Sequence, residues 1–308
     1  MKRYFNKIHY LENINLVDCV LLMILSIFSV FYFIIVQSKA FLYRKNLIKK
    51  RKLPAYIISI GNLTTGGTGK TPITAEIARY LKNTYNKKVA ILSRGYGGRF
   101  SSKEINLISD GINIFSTPEM AGDEPFWMAS NLENISVITG KNRFETGMFA
   151  IKKFGSDVLI LDDGFQHMQL HRDLNILVID ACKRFGNGML LPAGPLRDPV
   201  SQISRADKII ISNKKPFDKK FQIEADKLKN MLEKRFGKQV FICKFKNSGI
   251  FNIKTLKPIE DVNKAFAFAG IAQPDLFLEY LKDMNIDIDK FADKIIESIY
   301  CSNLYFWS

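Results

Sequence analysis

A glycine-rich segment at residues 61–72 contains the residue types that bind a nucleoside triphosphate. It reads Gly-Asn-Leu-Thr-Thr-Gly-Gly-Thr-Gly-Lys-Thr-Pro and lies between an apolar run and a helical pattern. Glycines let the backbone turn its N–H groups toward phosphate oxygens, and a helix N-terminus adds partial positive charge. Lys70 would neutralise the β- and γ-phosphates, and Thr71 would offer a hydroxyl to Mg²⁺. The segment is therefore predicted to be a P-loop, with nucleotide contacts at Thr64, Thr65, Gly66, Gly67, Thr68, Gly69, Lys70 and Thr71.

The strict P-loop pattern has glycine at the position of Thr64. A glycine-rich turn that binds no phosphate is the alternative, and the Gly-Lys-Thr that follows makes it the weaker one.

Two carboxylates close an apolar run at residues 157–164, which reads Asp-Val-Leu-Ile-Leu-Asp-Asp-Gly. An apolar strand that ends in Asp is common by itself, but after a P-loop it indicates the acid that holds the nucleotide's metal ion. Strands parallel to the first would bring Asp162 to the same sheet edge as Lys70, where α/β sheets bind ligands. Asp162 and Thr71 are therefore the predicted Mg²⁺ ligands.

Three further loops carry charged residues that could bind a phosphate acceptor. Gly122-Asp123-Glu124-Pro125 contains two acids, residues 93–99 contain Arg94, and residues 191–199 contain Arg197. A kinase needs a carboxylate near the attacking hydroxyl and cations around a charged substrate. Each loop alone is more simply interpreted as a turn. Their shared position after predicted strands favours a function.

Two other features are less specific. His167 and His171 are four residues apart, which on a helix would place them on one face. Without a third ligand, a solvated or core pair is a simpler interpretation than a metal site. Asn213-Lys-Lys-Pro resembles the guanine-reading motif of GTPases but lacks its Asp, so GTP is not predicted.

These residues must be positioned by an α/β fold with a largely parallel, P-loop NTPase-like sheet. From Ala55 onward, short β-branched runs alternate with helical patterns, which is typical of βαβ units. After Pro216 the character changes to a Lys-rich amphipathic segment followed by two more candidate strands. We predict a membrane anchor and basic flank at 1–45, a P-loop core at 46–215 and a smaller α/β domain at 216–308. The predicted strands are 55–60, 88–92, 135–139, 158–161, 175–179, 208–212, 239–245 and 265–269.

The N-terminal region contains a candidate membrane helix. Residues 16–36 are 21 residues with Asp18 as their only charge, and a helix of that length rises about 31 Å, enough to span a bilayer core. Seven basic residues follow the apolar run and three precede it, so the positive-inside rule predicts a single span with the long C-terminal part in the cytoplasm. The alternative is a helix that lies in the interface or packs against the globular part.

Composition limits the remaining classes. With 47% hydrophobic residues the chain can bury a core, which excludes a wholly disordered protein. The net charge is +15, of which residues 1–52 carry +8 and the other 256 residues +7. Basic residues next to an apolar helix favour anionic lipid headgroups over nucleic acid, which we do not expect as a partner. The four cysteines have no paired spacing, so neither a disulfide framework nor a zinc site is predicted.

The motifs together resemble those of the tetraacyldisaccharide 4'-kinase family. The P-loop, Ser-Arg-Gly-Tyr-Gly-Gly, Gly-Asp-Glu-Pro, Leu-Asp-Asp-Gly-Phe-Gln-His, Leu-Leu-Pro-Ala-Gly-Pro-Leu-Arg-Asp-Pro and Ala-Phe-Ala-Gly-Ile-Ala follow in the family's order, up to about residue 275. The resemblance implies transfer of the ATP γ-phosphate to the 4'-hydroxyl of a lipid A precursor, a tetraacylated glucosamine disaccharide 1-phosphate, at the cytoplasmic face of the inner membrane. It also implies two α/β/α domains with the active site between them.

By position, the resemblance implies that Asp123 is the catalytic base, that Lys70 and Thr71 bind the phosphates and the metal, and that Asp162 and Asp163 are the Mg²⁺ acids. We count Asp163 with Asp123 and Lys70 among the candidate catalytic residues. The candidate substrate contacts are Arg94, Glu124, Arg143, His167 and Arg197.

The sequence departs from the family pattern in two places. Gln273 stands where the family often has a His that pairs with the base, so Asp123 is expected to act alone or through water. The Phe-Pro-Asp-His and Thr-Glu-Lys-Asp stretches of the family's C-terminal part are missing, which suggests a truncated last domain with reduced or absent activity.

One alternative belongs to a different class of protein. An anchored P-loop ATPase could act in assembly or positioning without a lipid acceptor. Such ATPases usually carry a signature Lys before the paired glycines, where this sequence has Thr65.

Overall fold

The computed structural model describes residues 7–11, 14–100, 104–215, 218–245, 249–252, 255, 257–259, 262–268, 274–292 and 305–306. The chain divides into two compact units, Met1–Lys244 and Phe245–Ser308. Gln273 lies outside the described residues.

The first unit is built on an eight-stranded sheet. The strands are β1 Tyr56–Gly61, β2 Val89–Ser93, β3 Asn106–Ser109, β4 Ser136–Thr139, β5 Val158–Asp162, β6 Leu174–Asp180, β7 Lys208–Asn213 and β8 Gln239–Lys244. Their order in the sheet is β3-β4-β2-β5-β1-β6-β7-β8, and every neighbouring pair is parallel except β3 with β4. The predicted α/β class with a largely parallel sheet is confirmed.

Helices connect the parallel strands and supply the apolar residues that cover the sheet. One core cluster includes Ala150 of the helix between β4 and β5, and a second includes Leu228 and Leu232 of the helix between β7 and β8. The helices of this unit are α1 Leu16–Arg44, α2 Lys70–Tyr85, α3 Pro118–Ala121, α4 Asp123–Asn131, α5 Arg143–Phe154 and α6 Lys219–Phe236, with a 3-10 helix at Val200–Arg205.

The sheet extends beyond the predicted domain boundary at 215/216. β8 pairs with β7 in parallel, and α6 packs Leu228 and Leu232 into the same core as Ile209 and Ile211 of β7. The change to Lys-rich composition therefore marks the exposed face of another crossover helix, and the division between the units falls at Lys244/Phe245. The antiparallel edge strand β3 was not predicted. It has only 4 residues, Asn-Leu-Ile-Ser, which is too short for an apolar run or an alternating pattern to be recognised.

The second unit contains a smaller α/β arrangement. Its parallel pair is β10 Lys264–Phe268 with β11 Asp287–Ala292, and its antiparallel pair is β9 Phe251–Asn252 with β12 Tyr305–Phe306. α7 Pro274–Asp283 places Phe277 and Leu281 in a small core with Ala267 and Ile286.

Candidate active site

The glycine-rich segment joins β1 to α2, which is the strand–loop–helix context that a P-loop requires. Gly66 and Gly69 have φ of 100° and 80°, a backbone region that other residues rarely adopt. Thr64, the departure from the strict pattern, is buried and forms an antiparallel bridge with Leu196. Thr64 does not have a positive φ, so its backbone conformation does not require glycine.

Two side chains at the end of β7 hold the outer side of the P-loop. Ser212 Oγ donates to the carbonyl of Thr68 at 2.7 Å, and Lys214 Nζ donates to the carbonyl of Gly67 at 2.5 Å and to Asp180 Oδ2 at 2.9 Å. Because C=O and N–H of a trans peptide point in opposite directions, fixing these carbonyls outward turns the following N–H groups inward. Neither Ser212 nor Lys214 is among the predicted site residues, although the Asn213-Lys-Lys-Pro segment was a usable signal.

The twin acids reach the P-loop as predicted. β5 lies next to β1, with Asp162 in register with Ile60, so both strands end at the same edge of the sheet. Asp163 Oδ1 lies 3.5 Å from Lys70 Nζ. Arg197 donates two hydrogen bonds to the Asp163 carboxylate, at 2.7 and 2.8 Å, in the fork geometry of a bidentate pair. It is therefore Asp163 that pairs with both cations.

The two acids have opposite electrostatics. Burial raises the pKa of Asp162 to about 6, and the nearby Glu124 adds to the shift while Lys70 opposes it. Burial alone would also raise the pKa of Asp163, but the hydrogen bonds from Arg197 and the charge of Lys70 outweigh it and hold this pKa below its ordinary value. Asp163 is an anion fixed between cations, whereas Asp162 is a buried carboxyl with a costly charge.

The environment of Asp162 fits a hard cation. Its closest hydrogen-bond donors are the hydroxyls of Thr74 and Ser93, each at a long 3.4 Å. Among the described residues, no three His, Cys, Asp or Glu side chains are placed to hold a metal by themselves. A site with one carboxylate and the Thr71 hydroxyl suits Mg²⁺, which usually keeps several waters and binds substrate phosphates.

Arg143 and His167 belong to the same electrostatic cluster. Burial lowers the pKa of Arg143 to about 10, against the opposing charges of Asp162 and Asp163, so the guanidinium stays charged at neutral pH. Burial also lowers the pKa of His167 to about 4, and Arg143, Arg172 and Arg94 contribute to the shift. The His167 imidazole is therefore neutral at neutral pH.

His167 does not form a pair with His171. The chain between them is turn rather than helix, and His171 lies 3.5 Å from Asp173 at a half-exposed position. The simpler interpretation, without a metal, agrees with this arrangement.

Asp123 is the first residue of α4 and is exposed, as is Glu124. α4 leads into β4, so its N-terminus lies toward the carboxyl edge of the parallel strands. The preceding Gly122 has φ of 88°, and a Cβ there would lie 2.6 Å from the carbonyl of Tyr96. Glycine therefore allows the acidic loop to pack against the loop that carries Arg94.

The loop at residues 189–198, which we call the Arg197 loop, closes one side of the P-loop. Arg197 N donates to the carbonyl of Leu63 at 2.6 Å, and Thr65 N donates to the carbonyl of Pro195 at 2.7 Å. The Arg197 guanidinium also donates to Asn62 Oδ1. These backbone contacts were not predicted, since the sequence marks Arg197 only by its charge.

The parallel sheet, the P-loop and the acids at its edge place the chain in the class of P-loop proteins that bind a nucleoside triphosphate. The family model described as LpxK, tetraacyldisaccharide-1-P 4'-kinase, matches residues 21–294. The chain belongs to the tetraacyldisaccharide 4'-kinase family, whose members are ATP-dependent kinases.

Individual relatives agree with this assignment. The tetraacyldisaccharide 4'-kinase of Pelobacter propionicus is 40% identical over 274 residues, which are 89% of this chain and 73% of that protein. The one of Geobacter metallireducens is 37% identical over 276 residues, 89% of this chain and 78% of that protein. A crystal structure of LpxK from Aquifex aeolicus in complex with ATP is similar to this chain with a TM-score of 0.70 and 34% identity, over 88% of this chain and 84% of that one.

Proposed function

We propose that the chain transfers the γ-phosphate of ATP to the 4'-hydroxyl of a tetraacylated glucosamine disaccharide 1-phosphate, a lipid A precursor, at the cytoplasmic face of the inner membrane. The observation that carries the proposal is the convergence of Lys70, Asp163 and Arg197 at the mouth of the P-loop, in a chain of this family.

The phosphate-binding part of the site uses the P-loop, from Thr64 to Thr71. Its inward N–H groups and Lys70 bind the β- and γ-phosphates, where negative charge accumulates during transfer. Thr71 and Asp162 are the residues that would hold Mg²⁺, which neutralises charge on the phosphates when it is bound. Asp163 keeps Lys70 and Arg197 at fixed positions around the transferred group, and is a positioning residue in this scheme.

The acceptor side of the site uses Asp123 as the general base. Its carboxylate accepts the proton of the 4'-hydroxyl while the hydroxyl oxygen bonds to the γ-phosphorus and the bond to the β–γ bridging oxygen breaks, releasing ADP. Arg94, Arg143 and Arg197 provide positive charge for the phosphorylated disaccharide. Glu124 and His167 complete the pocket wall, His167 as a neutral group.

The membrane is proposed as the second partner, through α1. The helix has 29 residues and is long and apolar enough to cross a bilayer. Large apolar side chains are exposed over a wide face of the helix. They are Leu16, Val17, Val20, Met23, Ile24, Ile27, Phe28, Val30, Phe31, Phe33, Ile34, Ile35 and Phe41.

The opposite face of α1 contacts the first unit, which argues against the predicted single span. Ser29 bonds to the Arg197 loop, and the chain before α1 contacts the same region, since Asn187 N donates to the carbonyl of His9 at 2.9 Å. A crossing helix would put this polar loop at mid-membrane, where backbone groups find no water. We therefore propose that α1 lies along the membrane surface with its exposed face in the lipid, the alternative noted above.

A phosphoryl-transfer assay tests the proposed function. Full-length protein in detergent micelles, radiolabelled ATP and purified lipid A precursor should give labelled lipid only when Mg²⁺ and the lipid are both present. ATP hydrolysis at an equal rate without lipid would instead support the assembly ATPase.

A matched pair of carboxylate variants tests the role of Asp123. Asp123→Asn should lower transfer by about a hundredfold or more, the usual contribution of a general base, with ATP binding retained. Glu133→Ala removes another exposed acid, just beyond the other end of α4, and should have little effect. Full turnover by Asp123→Asn would refute the assignment.

A further inference from the structure

Three polar side chains of α1 face the protein and not the lipid. Ser29 is buried; its Oγ donates to the carbonyl of Leu190 at 2.8 Å and accepts from the N–H of Ala193 at 3.1 Å. One turn further, Tyr32 OH donates to the carbonyl of Arg197 at 3.1 Å. Gln37 then accepts from Gln202 Nε2 at 2.7 Å.

The Ser29 and Tyr32 contacts end on the Arg197 loop, which is bonded on its other side to the nucleotide site, whereas Gln202 lies in the 3-10 helix that follows the loop. Tyr32 donates to the backbone carbonyl of Arg197. The backbone N–H of Arg197 donates to the carbonyl of Leu63, and its guanidinium donates to the Asp163 carboxylate. Ser29 is hydrogen-bonded to the carbonyl of Leu190 and the N–H of Ala193. Two residues after Ala193, the carbonyl of Pro195 accepts a hydrogen bond from the N–H of Thr65. Hydrogen bonds at both ends of short stretches of the loop backbone therefore link α1 to the P-loop.

We propose that Ser29 and Tyr32 are positioning residues for phosphoryl transfer: through the Arg197 loop, α1 sets the location of the Arg197–Asp163 pair and of residues 63–65. The proposal rests on the proposed function, and it gives α1 a role beyond anchoring.

The chemistry of the two side chains supports a role in positioning. A serine hydroxyl in an apolar helix can be satisfied by its own helix, and Ser29 Oγ does lie 3.2 Å from the carbonyl of Leu25. Its bonds to Leu190 and Ala193 are shorter and hold two peptides of a loop distant in sequence. Anchoring requires none of these hydrogen bonds, since apolar area alone binds lipid.

The experiment compares conservative variants in mixed micelles with saturating ATP. Ser29→Ala and Tyr32→Phe should each lower kcat by about tenfold, because a small displacement of a reacting group has effects of this order. The KM for the lipid should change by less than about twofold, since the lipid-facing side of α1 is intact. Ser29→Thr keeps the hydroxyl and should restore kcat.

The matched control is Ser26→Ala, on the same helix one turn earlier. Ser26 Oγ donates to the carbonyl of Leu22 in its own helix at 2.7 Å. Its contact with the Arg197 loop is to the side chain of Met189, whose Sδ lies 3.8 Å away and is a weak acceptor, so Ser26 holds no backbone group of the loop. This variant should retain wild-type kcat. Equal losses in Ser26→Ala and Ser29→Ala would overturn the proposal, as would a loss explained by a smaller membrane-bound fraction.

Hydrogen–deuterium exchange separates failure of this inference from failure of the proposed function. In both variants, the amides of Thr65, Leu191, Gly194 and Leu196, which are hydrogen-bonded in and around the Arg197 loop, should exchange faster, with the β5 and β6 amides unchanged. Absence of lipid phosphorylation by wild type would reject the proposed function, while unchanged exchange in the variants would reject the path from α1 to the P-loop.

Discussion

Replacing Asp162 by Asn is expected to stabilise the protein at neutral pH while it removes phosphoryl transfer. Asp162 is 1% exposed and its closest donors are two hydroxyls at 3.4 Å, so its charge is poorly compensated without a bound cation. An amide of the same size carries no charge. The carboxylate that we propose as a Mg²⁺ ligand is thus one whose buried charge lowers the stability of the fold.

The magnitude follows from the pKa of the carboxyl. The pKa of Asp162 rises from 3.8 in the unfolded chain to about 6 in the folded protein. One pKa unit corresponds to about 1.4 kcal/mol, so above pH 6 the charged carboxylate lowers the free energy of unfolding by at most about 3 kcal/mol. Because the pKa is higher in the folded than in the unfolded state, protonation of Asp162 favours the folded state. This contribution to stability is fully present below pH 3.8 and is lost as the pH rises through about 6. For a unit of this size the gain in the variant is roughly 5–10 °C in Tm.

Thermal unfolding in detergent without Mg²⁺, at several pH values, measures this effect. The Tm of Asp162→Asn should exceed that of wild type at pH 7.5, and the difference should shrink toward pH 4. Asp163→Asn is the matched control: its pKa is held low by Arg197 and Lys70, so this variant should be less stable than wild type at neutral pH. A lower Tm for Asp162→Asn at pH 7.5, or equal effects at the two positions, would refute the reasoning.

Three further results are expected. Arg197→Lys keeps the charge but loses the two parallel hydrogen bonds to Asp163. Its kcat should therefore fall by roughly tenfold or more, while its affinity for ATP stays unchanged. Lys214→Met removes the donor to the Gly67 carbonyl, and should weaken ATP binding by about tenfold in a fluorescence titration, an order set by one charged hydrogen bond. Chelation of Mg²⁺ should abolish transfer in the radiolabel assay, and readdition of Mg²⁺ should restore it; transfer that persists without the ion would contradict the roles of Thr71 and Asp162.

The parts of the site that the sequence predicts are those whose chemistry is local. The P-loop glycines, Lys70 and Thr71 occupy consecutive positions, and the acids follow a strand that is recognisable by its apolar run. Parallel pairing then places Asp162 and Lys70 at one edge, because all carboxyl ends of a parallel sheet face the same way. Which of the two acids pairs with Lys70 depends on side-chain direction at the strand end, where Asp163 has φ of 53°, and no sequence pattern shows this.

The parts that it misses are contacts between segments far apart in the chain. Hydropathy identifies α1 but counts every apolar residue as lipid-facing, so it does not reveal that Ser29 and Tyr32 lie against residues 190–197. The Lys-rich composition of α6 likewise predicts a domain boundary before this helix, although β8, which follows it, pairs with β7 in the same sheet. In each case tertiary packing, which has no local signal, decides between two interpretations that the pattern allows.

A kinase whose acceptor stays in the bilayer must bring a headgroup hydroxyl and a bound γ-phosphate together at one height above the membrane. A flexible tether would keep the enzyme near the lipid without fixing that height, and the reacting atoms would meet in only a fraction of encounters. The Arg197 loop is bonded to α1 on one side, at Leu190, Ala193 and Arg197, and to Leu63 and Thr65 on the other. With α1 along the membrane surface, as we propose, these bonds would set the depth of the P-loop itself. We therefore expect loss of the Ser29 and Tyr32 hydrogen bonds to lower kcat and not lipid affinity.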